Sequence, residues 1–309
     1  MWIIFVILII ALAALIFISN RLVNTVIHVR RLRMEDCISQ EEEKGNISLQ
    51  WYENLHKDEF NVKSQHGYDL YMQLIKHPEV TKKTIIIVHG FGFNLVGSIK
   101  YSRIFYDMGY NVVIYDHCNC GRSGGDMTTM GYREKDDLKT IVQYTQSKLG
   151  EDIEIGIHGE SMGASTALLY AADKPGLSFV IEDCGYSDLT EELTYQLKAR
   201  HNLPYFPIIP IASLICKLRA GFYFSEVSPA RDIADSKIIE STPILFIHGS
   251  DDKFTLPYMM DDLYESKKGF KRKYVAQGAE HARSFVVDKE KYISVVKDFL
   301  EEIGFASNS

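Results

Sequence analysis

The sequence predicts an α/β fold: a mostly parallel β-sheet led by an antiparallel hairpin, with helices on both faces. Three observations carry this expectation. Thr84–Val88 and Val112–Tyr115 are solid apolar runs, as strands buried on both sides should be. These and later runs alternate with helical stretches, the rhythm of strands joined by crossover helices. Earlier, two alternating runs flank His66-Gly67 and read as the hairpin.

Taken in order, the chain opens with uninterrupted apolar sequence from Trp2 to Ile18, which Leu22, Val23, Val26 and Ile27 extend, enough for a transmembrane helix. Nothing basic precedes the run and no convincing cleavage site follows it, so an anchor is expected rather than a secretory signal. Arg21, Arg30, Arg31 and Arg33 all lie on its C-terminal side. The positive-inside rule puts that side in the cytoplasm, giving a single-pass cell-membrane protein with a cytoplasmic catalytic domain. Residues 1–33 are then anchor and basic juxtamembrane segment, 34–58 a linker that begins polar and acidic, and 59–309 the catalytic domain. The sequon Asn46-Ile47-Ser48 is discounted on a cytoplasmic chain.

After the hairpin, Thr84–Val88 ends in His89-Gly90-Phe91-Gly92-Phe93-Asn94 and a helix is expected over Leu95–Met108. Val112–Tyr115 ends at Asp116, followed by a Gly-rich loop to Gly125 and a helix near Tyr132–Leu149. Ile153–Tyr170 then reads as strand, Gly159-Glu160-Ser161-Met162-Gly163, helix, the context a nucleophile elbow requires. Ser161 is expected at the apex of a turn too sharp for side chains on its neighbours, hence the flanking glycines. Its backbone would start a helix, where the dipole favours a developing oxyanion. Ser178–Ile181 is the next strand. Ser187–Glu240 breaks the rhythm with helices near Leu189–Ala199 and Ile208–Gly221 around the Pro-rich, aromatic Leu203–Pro210, and reads as a small helical cap inserted over the sheet edge. The strand–helix rhythm returns with Pro243–Ile247, Pro257–Lys267, Lys273–Val275 and Lys289–Ile303.

Composition narrows the function. With 46% hydrophobic and 24% charged residues the chain is globular, which excludes disorder. A net charge of −7 argues against nucleic acid as partner, because phosphate binding needs a basic field. Neither a P-loop nor a dinucleotide fingerprint occurs. The 5 scattered cysteines do not make a disulfide framework and suit a reducing compartment. Cys118 and Cys120 lack a second ligand cluster, so zinc is not expected.

Four segments recur in superfamily order: His89-Gly90-Phe91-Gly92, the Asp116 to Ser123 loop, Gly159–Gly163, and His248-Gly249-Ser250-Asp251-Asp252 with Glu280-His281-Ala282. Through them residues 59–303 resemble the α/β-hydrolase superfamily. Within it the chain resembles bacterial serine hydrolases grouped with monoacylglycerol-lipase-like and serine-aminopeptidase-like enzymes, several of them membrane-tethered. The resemblance and the chemistry agree on roles. Ser161 is the nucleophile, and it needs a base within hydrogen-bond reach. His281 follows the last strand and is that base; His89 and His248 read as structural. The superfamily's His-Gly-x-x-Asp pattern makes Asp252 the acid, with Asp251 and, one strand earlier, Asp183 as alternatives. The N–H groups of Phe91 and Met162 would form the oxyanion hole. Two departures stand out: His117-Cys118-Asn119-Cys120 replaces the usual middle of the loop after Asp116, and the cap matches no substrate class. Leu203, Tyr205, Phe206, Ile208, Ile209, Phe222, Tyr223 and Phe224 suggest an apolar acyl site there.

The expected protein is a membrane-anchored serine hydrolase that cleaves a small acyl ester through an acyl-enzyme on Ser161. No cofactor and no metal is implied. Peptidase, thioesterase and acyltransferase activity stay open, as does a non-catalytic binding protein on the same fold. A peptidase would hold the substrate amine on an acidic cap residue, for which Glu191, Glu192 and Glu226 are available. Oligomeric state is left open.

Overall fold

A computed structural model describes residues 1–43, 45 and 49–305. In chain order its elements are α1 (Trp2–Ile27), α2 (Met34–Glu43), α3 (Leu49–Glu53), β1 (Asp58–Lys63), β2 (Asp69–Ile75), β3 (Lys83–Val88), α4 (Val96–Tyr106), β4 (Asn111–Tyr115), α5 (Glu134–Leu149), β5 (Glu154–Glu160), α6 (Met162–Asp173) and β6 (Leu177–Asp183). They continue with α7 (Leu189–His201), α8 (Ile208–Ala220), α9 (Pro229–Asp235), β7 (Ile244–Gly249), α10 (Tyr258–Ser266), β8 (Lys271–Ala276), α11 (Ser284–Val287) and α12 (Lys289–Glu302). One sheet of 8 strands runs in the order β1-β2-β4-β3-β5-β6-β7-β8. β1 pairs antiparallel with β2, and β2 with β4; all other pairs are parallel. The sheet is therefore the mostly parallel one expected, with its antiparallel start.

Side-chain alternation explains why the central strands are apolar throughout. On β3, Ile86 and Val88 join a core with Val113, Ile157, Leu168 and Phe246, while Ile85 and Ile87 join a second core with Val112, Phe105 and Phe299. Both faces of the sheet are covered, so side chains pointing either way from Ile85 to Val88 are apolar. Each fully buried isoleucine contributes about 1.5–3 kcal/mol.

The N-terminal region departs from a simple tether. Residues 34–43, read as linker, form α2, with Cys37 and Glu41 buried. The sequon Asn46-Ile47-Ser48 lies outside the described residues. From Trp2 to Ala14 helix α1 is exposed, whereas Ser19, Val23, Val26 and Ile27 are buried. Ser19 Oγ donates to the carbonyl of Ile208 at 3.2 Å, and Arg219 near the end of α8 reaches Asn20 Oδ1 at 2.6 Å and His28 Nε2 at 3.1 Å. Helix α1 thus emerges from the body of the protein beside α8, sharing a third apolar cluster with α7 and α8.

Candidate active site

The elbow forms where β5 turns into α6. Ser161 has φ +55° and ψ −121°, in the left-handed region that an L-residue rarely adopts and that surrounding packing must impose. A Cβ on Gly159 would lie 2.4 Å from the Gly163 carbonyl oxygen, and one on Gly163 would lie 2.2 Å from the Val88 carbonyl oxygen. Both glycines are there because backbone approaches backbone.

Ser161 Oγ donates to His281 Nε2 at 2.9 Å, and His281 Nδ1 donates to Asp252 Oδ2 at 2.7 Å. His281 follows β8, Asp252 follows β7 and Ser161 follows β5, so neighbouring strand ends deliver all three to one edge. Asp252 is 2% exposed, and its Oδ1 accepts the N–H groups of Phe254 (2.8 Å) and Thr255 (3.0 Å). Burial opposes its charge, but hydrogen bonds from His248 and His281 outweigh that and hold its pKa at about 2. Asp251 is exposed and accepts from Ser250 Oγ. Asp183 accepts from Ser284, Tyr292 and Tyr101 and makes no bond to His281. Of the three acids considered, Asp252 alone meets the imidazole.

His248 does more than the sequence suggested. Its Nε2 donates to Thr255 O (2.9 Å) and lies 3.2 Å from Asp252 Oδ2, so the carboxylate sits between two histidines. Burial opposes protonation of His248, yet the bond to Asp252 and the charge of Glu182 raise its pKa. His89 behaves as expected: its Nε2 accepts the His117 N–H at 3.0 Å, and burial lowers its pKa to about 4, leaving it neutral. Cys184, Asp252 and His281 bring ligand atoms within 4.8 Å of one another. Burial pushes the Cys184 thiol well above its usual pKa, and a neutral thiol beside an already hydrogen-bonded Asp–His pair is a poor ligand set. Cys118 and Cys120 are buried free thiols, both raised mainly by burial, Cys118 to about 12.

Two cavities meet at Ser161 and Phe91. One is the more polar of the two, bordered by Glu41, Lys100, Glu160, Arg283 and His281 as well as by Phe91 and Phe93. Lys100 and Glu160 form an ion pair, and Tyr101 donates to Glu160 at 2.6 Å. The other is mostly apolar, bordered by Met130, Met162, Leu193 and Leu197, by Leu22, Thr25 and Val26 of α1, and by Glu192. Phe91 and Met162, expected to supply the oxyanion hole, both border this second cavity, and among the described residues the Phe91 N–H donates to no backbone carbonyl. Phe93 borders the polar cavity. The cap residues expected at an acyl site do not border Ser161: Ile208, Ile209, Phe222 and Phe224 are buried in the α1–α7–α8 cluster, Leu203 packs against it, and Tyr205, Phe206 and Tyr223 face outward. What sequence reading missed is α1, Glu41 and Lys100 at the site; a run of apolar or acidic residues carries no mark of which cavity it faces.

Glu192 is buried, and its Oε2 has no partner among the described residues. Burial raises its pKa to about 8. A folded-state pKa above the unfolded one costs stability as pH rises, increasingly from about 4.5 to about 8 and in full above that. Glu192→Gln, which keeps the acceptor used by Gln196, is expected to stabilise the protein on the order of 1–3 kcal/mol at pH 9 and little at pH 5. Thermal melts at the two pH values check this.

Fold and elbow together define a serine hydrolase of the α/β-hydrolase superfamily. The model of the X-Pro dipeptidyl-peptidase (S15) family matches residues 39–206, over half of the chain. The chain belongs to that family. YqkD of Bacillus subtilis (strain 168), an uncharacterized protein, is 40% identical over 282 residues, 91% of either chain. The Pyrococcus furiosus esterase Pf2001 superposes with a TM-score of 0.68 at 21% identity, covering 90% of this chain and 98% of its own. Proline iminopeptidase of Mycobacterium smegmatis gives 0.57 at 15% identity, covering 80% and 98%. At such identities the likeness to both solved structures establishes the fold.

Proposed function

We propose that the protein is a membrane-anchored carboxylic ester hydrolase. The observation that supports it most is the position of Ser161, bonded to His281 at the junction of an apolar and a polar cavity. An acyl group fits the first and a polar leaving group the second. Ser161 Oγ attacks the ester carbonyl while His281 Nε2 takes its proton, and Asp252 holds the imidazole and stabilises its charge. The Phe91 and Met162 N–H groups receive the oxyanion. His281 then protonates the departing alcohol, and water, deprotonated by the same nitrogen, releases the acid. Residues 1–33 act as anchor and 59–309 as the catalytic domain, with α2 packed against α4 rather than hanging free. Arg21, Arg30, Arg31 and Arg33 favour a cytoplasmic catalytic domain.

A second reading has its own observation. The unpartnered Glu192 Oε2 beside Ser161 suits a substrate ammonium, as a peptidase acting at free N-termini would need. Glu191 bonds Tyr258, and Glu226 bonds Lys217 and the Tyr223 N–H, so neither competes for that role. The test is fluorophosphonate labelling of the full chain in detergent micelles, followed by turnover of carboxylic esters and aminoacyl-proline amides. Labelling lost in Ser161→Ala and His281→Ala, with esters turned over faster than amides, is the expected result. Faster amide turnover that falls with Glu192→Gln would favour the peptidase. Absence of labelling in folded protein would favour a binding protein.

A further inference from the structure

The apolar cavity beside Ser161 does not end there. Leu22 and Thr25 of α1 and Leu197 and His201 of α7 border both it and a second apolar cavity, which reaches Phe17 and Ile18. The two form one groove along the α1–α7 seam, and Phe17 to Val26 spans about 13 Å of helix axis at about 1.5 Å per residue. Its outer end falls where α1 leaves the protein. From Trp2 to Ile18 the helix is wholly apolar and covers about 25 Å, close to the depth of a bilayer's hydrocarbon core. The next residue, Ser19, is already bonded to Ile208 at the start of α8. Just before Ile208, Tyr205 and Phe206 are 47% and 72% exposed, an aromatic pair at the level where the span ends. The groove mouth therefore faces the membrane surface.

We propose that α1 is a wall of the substrate site as well as an anchor. The groove takes the single acyl chain of a membrane-resident monoacyl ester, which slides out of the bilayer along α1 to Ser161. This rests on the ester-hydrolase reading above. One chain is specified because, of the two cavities that border the serine among the described residues, one is mostly apolar; the other presents Glu41, Lys100, Glu160 and Arg283 and suits a polar leaving group. No feature of a tether alone requires Leu22, Thr25 and Val26 to line a cavity that also contains the nucleophile.

The experiment uses the full chain in phosphatidylcholine nanodiscs, with nitrophenyl butyrate and nitrophenyl myristate as probes and fluorophosphonate labelling alongside. Thr25 is exposed, so Thr25→Trp narrows the groove at little risk to folding. Leu203, at the outer cavity, gives a second variant, Leu203→Trp. The myristate-to-butyrate ratio of kcat/KM is expected to fall at least about tenfold in both, as loss of room for several methylenes implies. An unchanged ratio in both folded variants overturns the proposal. So does wild-type protein that cleaves myristate from micelles but not from the bilayer, which would indicate a soluble acyl source. Wild-type protein that takes no fluorophosphonate defeats the hydrolase reading itself, and this proposal with it, a failure told apart by the label.

Discussion

Ser161→Ala and His281→Ala are each expected to lower ester turnover by on the order of 10⁴-fold or more, and the double replacement to cost little beyond either single one. The 2.9 Å bond between Oγ and Nε2 makes the two a unit: without the base the hydroxyl is a feeble nucleophile, and without the hydroxyl the base has nothing to activate. Asp252→Asn should cost about 10³–10⁴-fold, because an amide can donate to Nδ1 and so stabilise the wrong tautomer. Asp251→Asn should stay within about twofold, since that carboxylate is exposed and accepts a hydrogen bond from Ser250 rather than from His281. The contrast reads the acid's identity directly from kcat/KM on a short-chain ester. Asp252 also leaves a mark on stability. Its folded pKa of about 2 lies below the usual carboxylate value, so its contribution is present above about pH 4 and lost as pH falls towards 2.

Much of this is legible in the sequence itself. β3 and β4 announce themselves as unbroken apolar runs because both faces of a central strand are covered. The elbow is legible because its sterics leave glycine as the one residue that fits at Gly159 and Gly163. Asp252 and His281 are legible because each follows a strand, and the ends of parallel strands share an edge. The N-terminal region is not. Helix α2 holds Glu35, Asp36, Glu41, Glu42 and Glu43, a pattern that reads as solvated, yet Glu41 borders the polar cavity beside Ser161. From Trp2 to Ile18 helix α1 is apolar on every face, so that stretch carries no mark of which side meets protein. The cap misled for a related reason: aromatic content marks burial, and Phe222 and Phe224 pack α7, α8 and α1 together instead of lining the site. His248 reads, like His89, as a structural histidine at a strand end, and only the fold brings its Nε2 to Asp252.

Lys100→Met is expected to destabilise the protein by about 3–5 kcal/mol, lowering Tm by roughly 5–15 °C. The ammonium is 3% exposed and ion-paired with Glu160, and Glu41 and Asp183 add their fields. Burial opposes its charge, but Glu160 and Glu41 more than offset this and raise its pKa. Removing it leaves Glu160 in a largely buried site with a hydrogen bond from the Tyr101 hydroxyl and no compensating cation among the described residues. The deficit has a pH signature. Burial, then the charge of Glu160, raises the pKa of Asp183 to about 6, and Lys100 restrains that rise. Stability therefore falls as pH climbs from about 4 through 6, and without Lys100 the fall extends to higher pH, so the variant's deficit grows between pH 5 and 8. Adding Glu160→Gln to Lys100→Met should recover a substantial part of the loss, because the penalty comes from an uncompensated buried charge more than from the missing contact. Thermal melts of the single and double variants at both pH values give the answer, and a double variant no more stable than Lys100→Met would place the cost in packing of the lysine stem instead.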